Sequence, residues 1–187
     1  RVRGRAFRVL AALADDDDAE RIWIEAQSAE ARVQREVMTG CLASGSIDRI
    51  ALAWAELRRL AESADPAQRI LASQVLRKVA SASFYRPLLK LLGDGDWQVQ
   101  RAALVACKAI HHPRLLPLVV GALRSRRLRA PAAAALCAIG ESAIAPLRNL
   151  AHDEQDWRVR VRALRVAARV KGKLAEWMLF KELTRLE

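Results

Sequence analysis

The chain has 187 residues, 52% of them apolar but only 5% aromatic, and a formal net charge of +11 carried mostly by arginine. That length suffices for a sizeable core as one domain or one repeat array, and the scarcity of Gly, Pro and β-branched runs points to a helical protein. The longest uncharged run, residues 130–140, is far too short to cross a bilayer, and Arg1, Arg3, Arg5 and Arg8 break up any leader-like apolar core.

The pattern predicts a first helix over 2–13, with Val2, Ala6, Val9 and Leu13 on its apolar face. The acidic run Asp15 to Asp18 reads as a solvated turn that offers N-caps to the next helix, not as a metal site, because consecutive side chains point apart. Residues 19–26 carry Ile22, Trp23 and Ala26 on one side, and 29–43 carry Val33, Val37 and Cys41; the periodicity leaves open whether these are one helix or two. Gly40 weakens the second. Gly45 and Ser46 form a C-cap followed by an N-cap. A helix over 47–61 then presents Ile47, Ile50, Trp54 and Leu57. Residues 1–64 therefore read as helical hairpins of irregular length.

From Asp65 the pattern becomes regular, in units of about 65–95, 96–124, 125–155 and 156–187. First helices open at Asp65-Pro66, Asp96-Trp97 and Asp156-Trp157, where Asp caps and Pro66 sits at a position whose N–H has no partner anyway. Second helices carry Pro87, Pro117 and Pro146 near their starts, at spacings of 30 and 29 residues, and Ile110 and Ile139 repeat the 29. Helix breaks are expected near Ser83, Gly95, Pro113, Arg126, Gly140, Glu154 and Gly172. Both flanks of the 156–171 helix are apolar, Val159 and Val166 on one and Val161 and Ala168 on the other, as a helix with neighbours on two sides requires.

Asp96, Val99, Ala103 and Leu104 with Pro117, and Asp156, Val159, Ala163 and Leu164, resemble the HEAT repeat, closely over 65–187 and loosely over 1–64. The order of residues 129–150 before DWRVRVRALRVAARV is similar to the HEAT domain fused to bacterial nucleotide-transporter-like membrane proteins. The resemblance implies an all-α HEAT-like α-solenoid, a right-handed superhelix of antiparallel helix pairs, whose second helices line a concave partner-binding surface. Residues 127–131 depart from the family in lacking the Asp cap.

Positions one before and three after each second-helix Pro share a face. They nominate Arg86 and Lys90, Leu116 and Val120, and Ala145 and Asn149 as the groove, with Leu116 and Val120 as an exposed apolar patch. Leu88, Leu91 and Leu92 form the opposite, buried side. Arg158, Arg162, Arg165 and Arg169 fall on one stripe of the last first helix, and Arg124, Arg126, Arg127 and Arg129 form a second ridge. Both are anion-binding candidates, or else solvated faces.

Cys41, Cys107 and Cys137 are odd in number and widely spaced, as buried apolar residues in a reducing compartment would be. His111, His112 and His152 lack ligand spacing, and no phosphate loop or nucleophile elbow occurs. No catalytic residue, metal or cofactor is therefore expected. The reading is a cytoplasmic, non-catalytic interaction and regulatory scaffold, part of a larger bacterial protein, whose partner is a protein or a neighbouring domain. Nucleic acid would bind weakly and without specificity. The alternatives are a nucleic-acid-binding solenoid and, by analogy to HEAT-like alkylpurine DNA glycosylases, an enzyme using Asp96-Trp97 or Asp156-Trp157. Those two Trp residues are expected to be partly buried between repeats.

Overall fold

A computed structural model describes residues 2–13, 16–27, 29–170 and 172–184. They contain helices and turns and no strand, and they divide into two compact units, Arg1–Ala80 and Ser81–Glu187. The chain is an all-α helical solenoid in class.

The first unit holds α1 (Val2–Leu13), α2 (Asp16–Gln27), α3 (Ala31–Leu42), α4 (Ile47–Glu62) and α5 (Pro66–Val79). The open question of one helix or two is answered by a break before α3, at Ala29 and Glu30. The acidic run does not precede α2, which begins at Asp16; Asp15 and the side chain of Val2 lie outside the described residues. The apolar face expected for α1 is its wet one: Ala6, Val9 and Leu13 are exposed, and Ala11 is buried. The reason lies in Gly40 of α3. A Cβ there would stand 2.4 Å from the Arg8 carbonyl oxygen and 3.1 Å from the Ala11 Cβ. α1 thus packs by its backbone and a methyl group rather than by large side chains, and a glycine that weakens α3 as an isolated helix is what lets α1 dock. Arg49 closes the end of α1, its Nη1 donating to the Ala11 and Ala12 carbonyls.

The helix α3 packs on α4 and α5 through Val37, Met38 and Cys41, with Leu57, Leu60, Leu71 and Val75 completing the core. Among the described residues three polar side chains are buried in it. Thr39 and Ser73 donate to carbonyls one turn back, Arg35 and Arg69. Glu36 pairs with Lys78 of α5, while Arg35 stands 3.5 Å from the same carboxylate and donates to Gln74 at 2.6 Å. Burial pulls the Glu36 carboxyl upward, but the Lys78 bond and the charges of Lys78, Arg35 and Arg8 outweigh it and hold the pKa below the usual range. The helix α5 belongs to this compact unit, which ends at Ala80.

The second unit holds α6 (Tyr85–Leu92), α7 (Trp97–Ala106), α8 (Leu116–Gly121), α9 (Arg129–Ile139), α10 (Ile144–Asp153), α11 (Trp157–Ala167) and α12 (Lys173–Thr184). First helices stack α7 on α9 on α11, second helices α6 on α8 on α10 on α12, and each second helix also packs on the following first helix. This is the two-row stacking of a repeat array. Its core is apolar, built on Leu88, Leu91, Leu104, Ile110, Leu115, Leu123, Leu136 and Leu147.

The predicted Asp caps form, whereas α3 is capped at Ala43 rather than Gly45, and Ser46 stands at the N-cap of α4 without a side-chain cap bond. Asp65, Asp96 and Asp156 each accept the backbone N–H two residues on, at 2.9, 2.7 and 2.9 Å. At α9, which has no Asp, the Ser125 carbonyl takes the N–H groups of Leu128 and Arg129 instead. The helix breaks fall near the expected positions, with two shifts. The break near Ser83 begins at Ala80, whose φ of 55° is left-handed, and continues through a 3-10 turn at Ala82–Phe84. The helix α7 stops at Ala106, well before Pro113.

Only one flank of α11 is covered. Val159, Ala163, Val166 and Ala167 are buried, whereas Val161 is half-buried and Ala168 exposed. Residues Arg129–Asp153 are long and apolar enough, by length and composition, to cross a membrane. That stretch is longer than the uncharged run the sequence offered, but it is not one rod: Gly140, with φ of 80° and ψ of −143°, turns it into α9 and α10, which pack on α7, α8 and α11.

Candidate interaction surface

The residues nominated for the groove separate into two groups. Arg86, Lys90, Ala145 and Asn149 are exposed on α6 and α10. Leu116 and Val120 are not: at 8% and 6% exposure they belong to the core of the second unit, and the apolar patch predicted there does not exist. The error lies in the marker. The first N–H groups of a helix have no intrahelical partner, so Pro is tolerated at several first-turn positions and does not fix which way the later residues face. α6 buries Leu88, Leu91 and Leu92, the positions one, four and five after Pro87, whereas α8 buries Leu116, Val119 and Val120, those before, two after and three after Pro117.

That rotation turns Leu118 outward, to 39% exposure, over a cleft of about 320 Å³. Leu92, Leu104 and Leu128 supply buried apolar walls, Pro117 and Leu118 one lip, and Gln100 and Ser125 polar edges. Arg126 and Arg127 follow Ser125 and are exposed, with the Arg127 guanidinium 5.2 Å from the centre of the Trp97 ring. Arg124 lies beside Gly121 and is tied to Glu154 by a 2.6 Å bond. Asp94 and Asp96 are the only carboxylates between residues 66 and 140. An apolar notch set in a nearly acid-free, arginine-rich stretch suits an apolar side chain with acidic neighbours. The missing acids were legible in the sequence; the turn of α8 that opens the notch was not.

A second cluster lies at the starts of α6 and of the turn before α8. The rings of Tyr85 and His112 stack with centroids 3.7 Å apart and planes 1° from parallel. Nε of Arg86 and Nη1 of Arg114 each donate to the Tyr85 hydroxyl at 3.4 Å, and the Arg114 guanidinium stands 5.8 Å from the ring centre. The bond from Arg86, with the charges of Arg114 and Arg86, holds the Tyr85 hydroxyl below the usual phenol range. His112 Nδ1 accepts the Arg114 N–H at 3.2 Å. This pair is therefore more than the solvated turn that the His-His-Pro sequence suggested.

The Arg stripe expected on one helix is divided as well, since α11 ends at Ala167 and Arg169 lies in the turn beyond it. Arg158, Arg165 and Arg169 are exposed, but Arg162 turns inward and donates to the Leu123 carbonyl. Arg160 bonds the Ala151 carbonyl at 3.1 Å, and Arg69 the Ser63 and Ala64 carbonyls at 2.8 Å. With Arg49, these show part of the arginine content serving as clasps on helix ends and turns. In the second ridge Arg126, Arg127 and Arg129 are exposed.

Trp97 is partly buried as expected, but Trp157 is 64% exposed, with Arg158 against its ring. The turn that carries Arg127 lies against the first indole. Asp96 and Asp156 are both engaged as caps. Among the described residues no three His, Cys, Asp or Glu side chains approach closely enough to hold a metal. Cys41 and Cys107 are buried and Cys137 partly so; burial raises the Cys41 thiol and pushes that of Cys107 up to about 12.

Residues 55–137, from α4 to α9, match the HEAT repeats family. HEAT repeats generally act as scaffolds for protein interaction and are typically non-enzymatic. A comparison with curated proteins gave no match.

Proposed function

We propose that this chain is a non-catalytic interaction and regulatory scaffold whose cleft between α6, α7 and α8 receives an apolar side chain from an acidic segment of a partner protein. The observation that carries the reading is Leu118, exposed at the lip of an apolar cleft inside the HEAT-matching stretch, with arginines beside it. The partner is a separate protein or another domain of a larger bacterial chain. On this reading the chain works in the cytoplasm. The test is a display selection of acidic peptides with one central apolar residue, measured against wild type, Leu118→Asp and an Arg126→Glu, Arg127→Glu double variant. Selected peptides should bind the variants about tenfold or more weakly, the scale of one lost charge-assisted contact. Equal binding to folded Leu118→Asp would remove the cleft from consideration.

A second reading, weak and salt-sensitive association with nucleic acid, is favoured by Arg158, Arg165 and Arg169, which are exposed and form no ion pair with a described carboxylate. A DNA-repair enzyme has less support, because the two candidate aspartates already serve as helix caps.

A further inference from the structure

We propose that Tyr85, Arg86, His112 and Arg114 form a binding site for a phosphate group, either free phosphate or a phosphate monoester. The site stands apart from the cleft and shares no residue with it. Arg86 comes from the first turn of α6, and Arg114 from the turn that leads into α8, yet both reach the same phenol oxygen at 3.4 Å. Tyr85 and Arg114 are 29 residues apart, the spacing also seen between Ile110 and Ile139, so the stacking of consecutive pairs brings them together.

Two guanidiniums this close repel one another unless a negative charge or a polar oxygen lies between them. The phenol oxygen is neutral and uses one N–H of each. Neither arginine forms an ion pair with a described carboxylate, and Asp94 and Asp96, the only acids between residues 66 and 140, lie beyond the far end of α6. An eight-residue helix puts them roughly 12 Å away. The remaining donors of both forks, which belong to exposed side chains, suit an acceptor with several oxygens and more than one negative charge. A carboxylate has two coplanar oxygens and is satisfied by a single fork, whereas a phosphate dianion has three and can bridge two.

The cluster is also held in place beforehand. Arg114 is fixed by its own N–H to His112 Nδ1 and by its position over the Tyr85 ring, and the His112 ring is fixed by stacking. The bond to Nδ1 puts the proton of the neutral imidazole on Nε2, which adds a donor. Less order therefore has to be imposed when the ligand arrives.

The experiment tracks the side-chain Nε–H resonances of Arg86 and Arg114 as inorganic phosphate, phenyl phosphate or chloride is added to the whole chain at constant ionic strength. Both phosphates should shift the two signals saturably, and chloride should not. Arg86→Gln or Arg114→Gln should weaken phosphate affinity about tenfold, the effect of losing one charge-assisted bond. Arg114→Lys, which keeps the charge and is the milder change to the fold, should weaken it less. Tighter binding of phenyl phosphate would assign the site to a monoester, and equal affinities to the phosphate group alone. Shifts no larger than those with chloride, or variants of unchanged phosphate affinity, would overturn the proposal. Leu118→Asp leaves these residues untouched and should bind phosphate normally, so this site and the cleft can fail independently.

Discussion

The two units solve the same problem, holding short helices together, by different means. In the second, every large buried side chain among the described residues is apolar and the contacts recur from pair to pair. In the first, the three buried polar side chains, Glu36, Thr39 and Ser73, lie where α3 meets α5, and α1 docks through the space at Gly40. Repetition lets the second unit depend on many equivalent contacts. The first depends on a few individual ones, each of which must be satisfied in place.

The largest expected effect tests the apolar side of this contrast. Leu136→Ala empties a fully buried position in α9 and should cost about 3 kcal/mol in denaturant unfolding. A loss under about 1 kcal/mol would show that the stack relaxes around a cavity, and that its core is looser than its burial implies.

Glu36→Ala tests the other side and should cost about 2 kcal/mol, because Lys78 loses its partner but keeps some access to water. Its pH dependence has a definite sign. A carboxyl whose folded pKa is lowered stabilises the protein above its unfolded value, near 4.3, and loses that contribution as pH falls through the folded value. Wild type should therefore exceed Glu36→Gln in stability at neutral pH and approach it in acid, monitored by Trp23 and Trp54 fluorescence with the other three Trp replaced by Phe. A gap that stays constant with pH would mean the pair contributes through packing alone.

The smallest effect compares two copies of one motif. Asp96→Ala and Asp156→Ala should each cost about 1 kcal/mol, since both remove the same cap bond. Replacing the neighbouring indoles should not be symmetrical. Trp97→Ala should be the costlier change, because Trp157 is mostly in water. Equal losses, read from thermal midpoints, would mean that Trp97 is no better packed than its copy.

Legibility in the sequence divides along the same line. Caps and helix breaks in the second unit were readable because Asp at a helix start and Gly at a turn act locally. The face of α8 was not, because Pro117 marks a first turn without fixing its rotation. The face of α1 was not, because its partner is backbone beside Gly40, and a pattern of large apolar residues cannot signal a contact that avoids them. The cleft and the Tyr85 cluster needed the stacking of pairs before their residues could meet. The difference in exposure between Trp97 and Trp157 was not legible either, because the residues around them in sequence match.

The buried thiols supply a pair of internal clocks. Cys41 lies in the first unit and Cys107 in the second, and each is shielded from reagents as long as its helices stay closed. Only a thiolate reacts, so modification of either one has to wait for an opening that returns the sulfur to water. With Cys137 replaced by Ala, the labelling rates at the two sites would time the opening of each unit separately in a single sample. If the units open together the two rates converge; if they breathe independently, the chain reports it without an added probe.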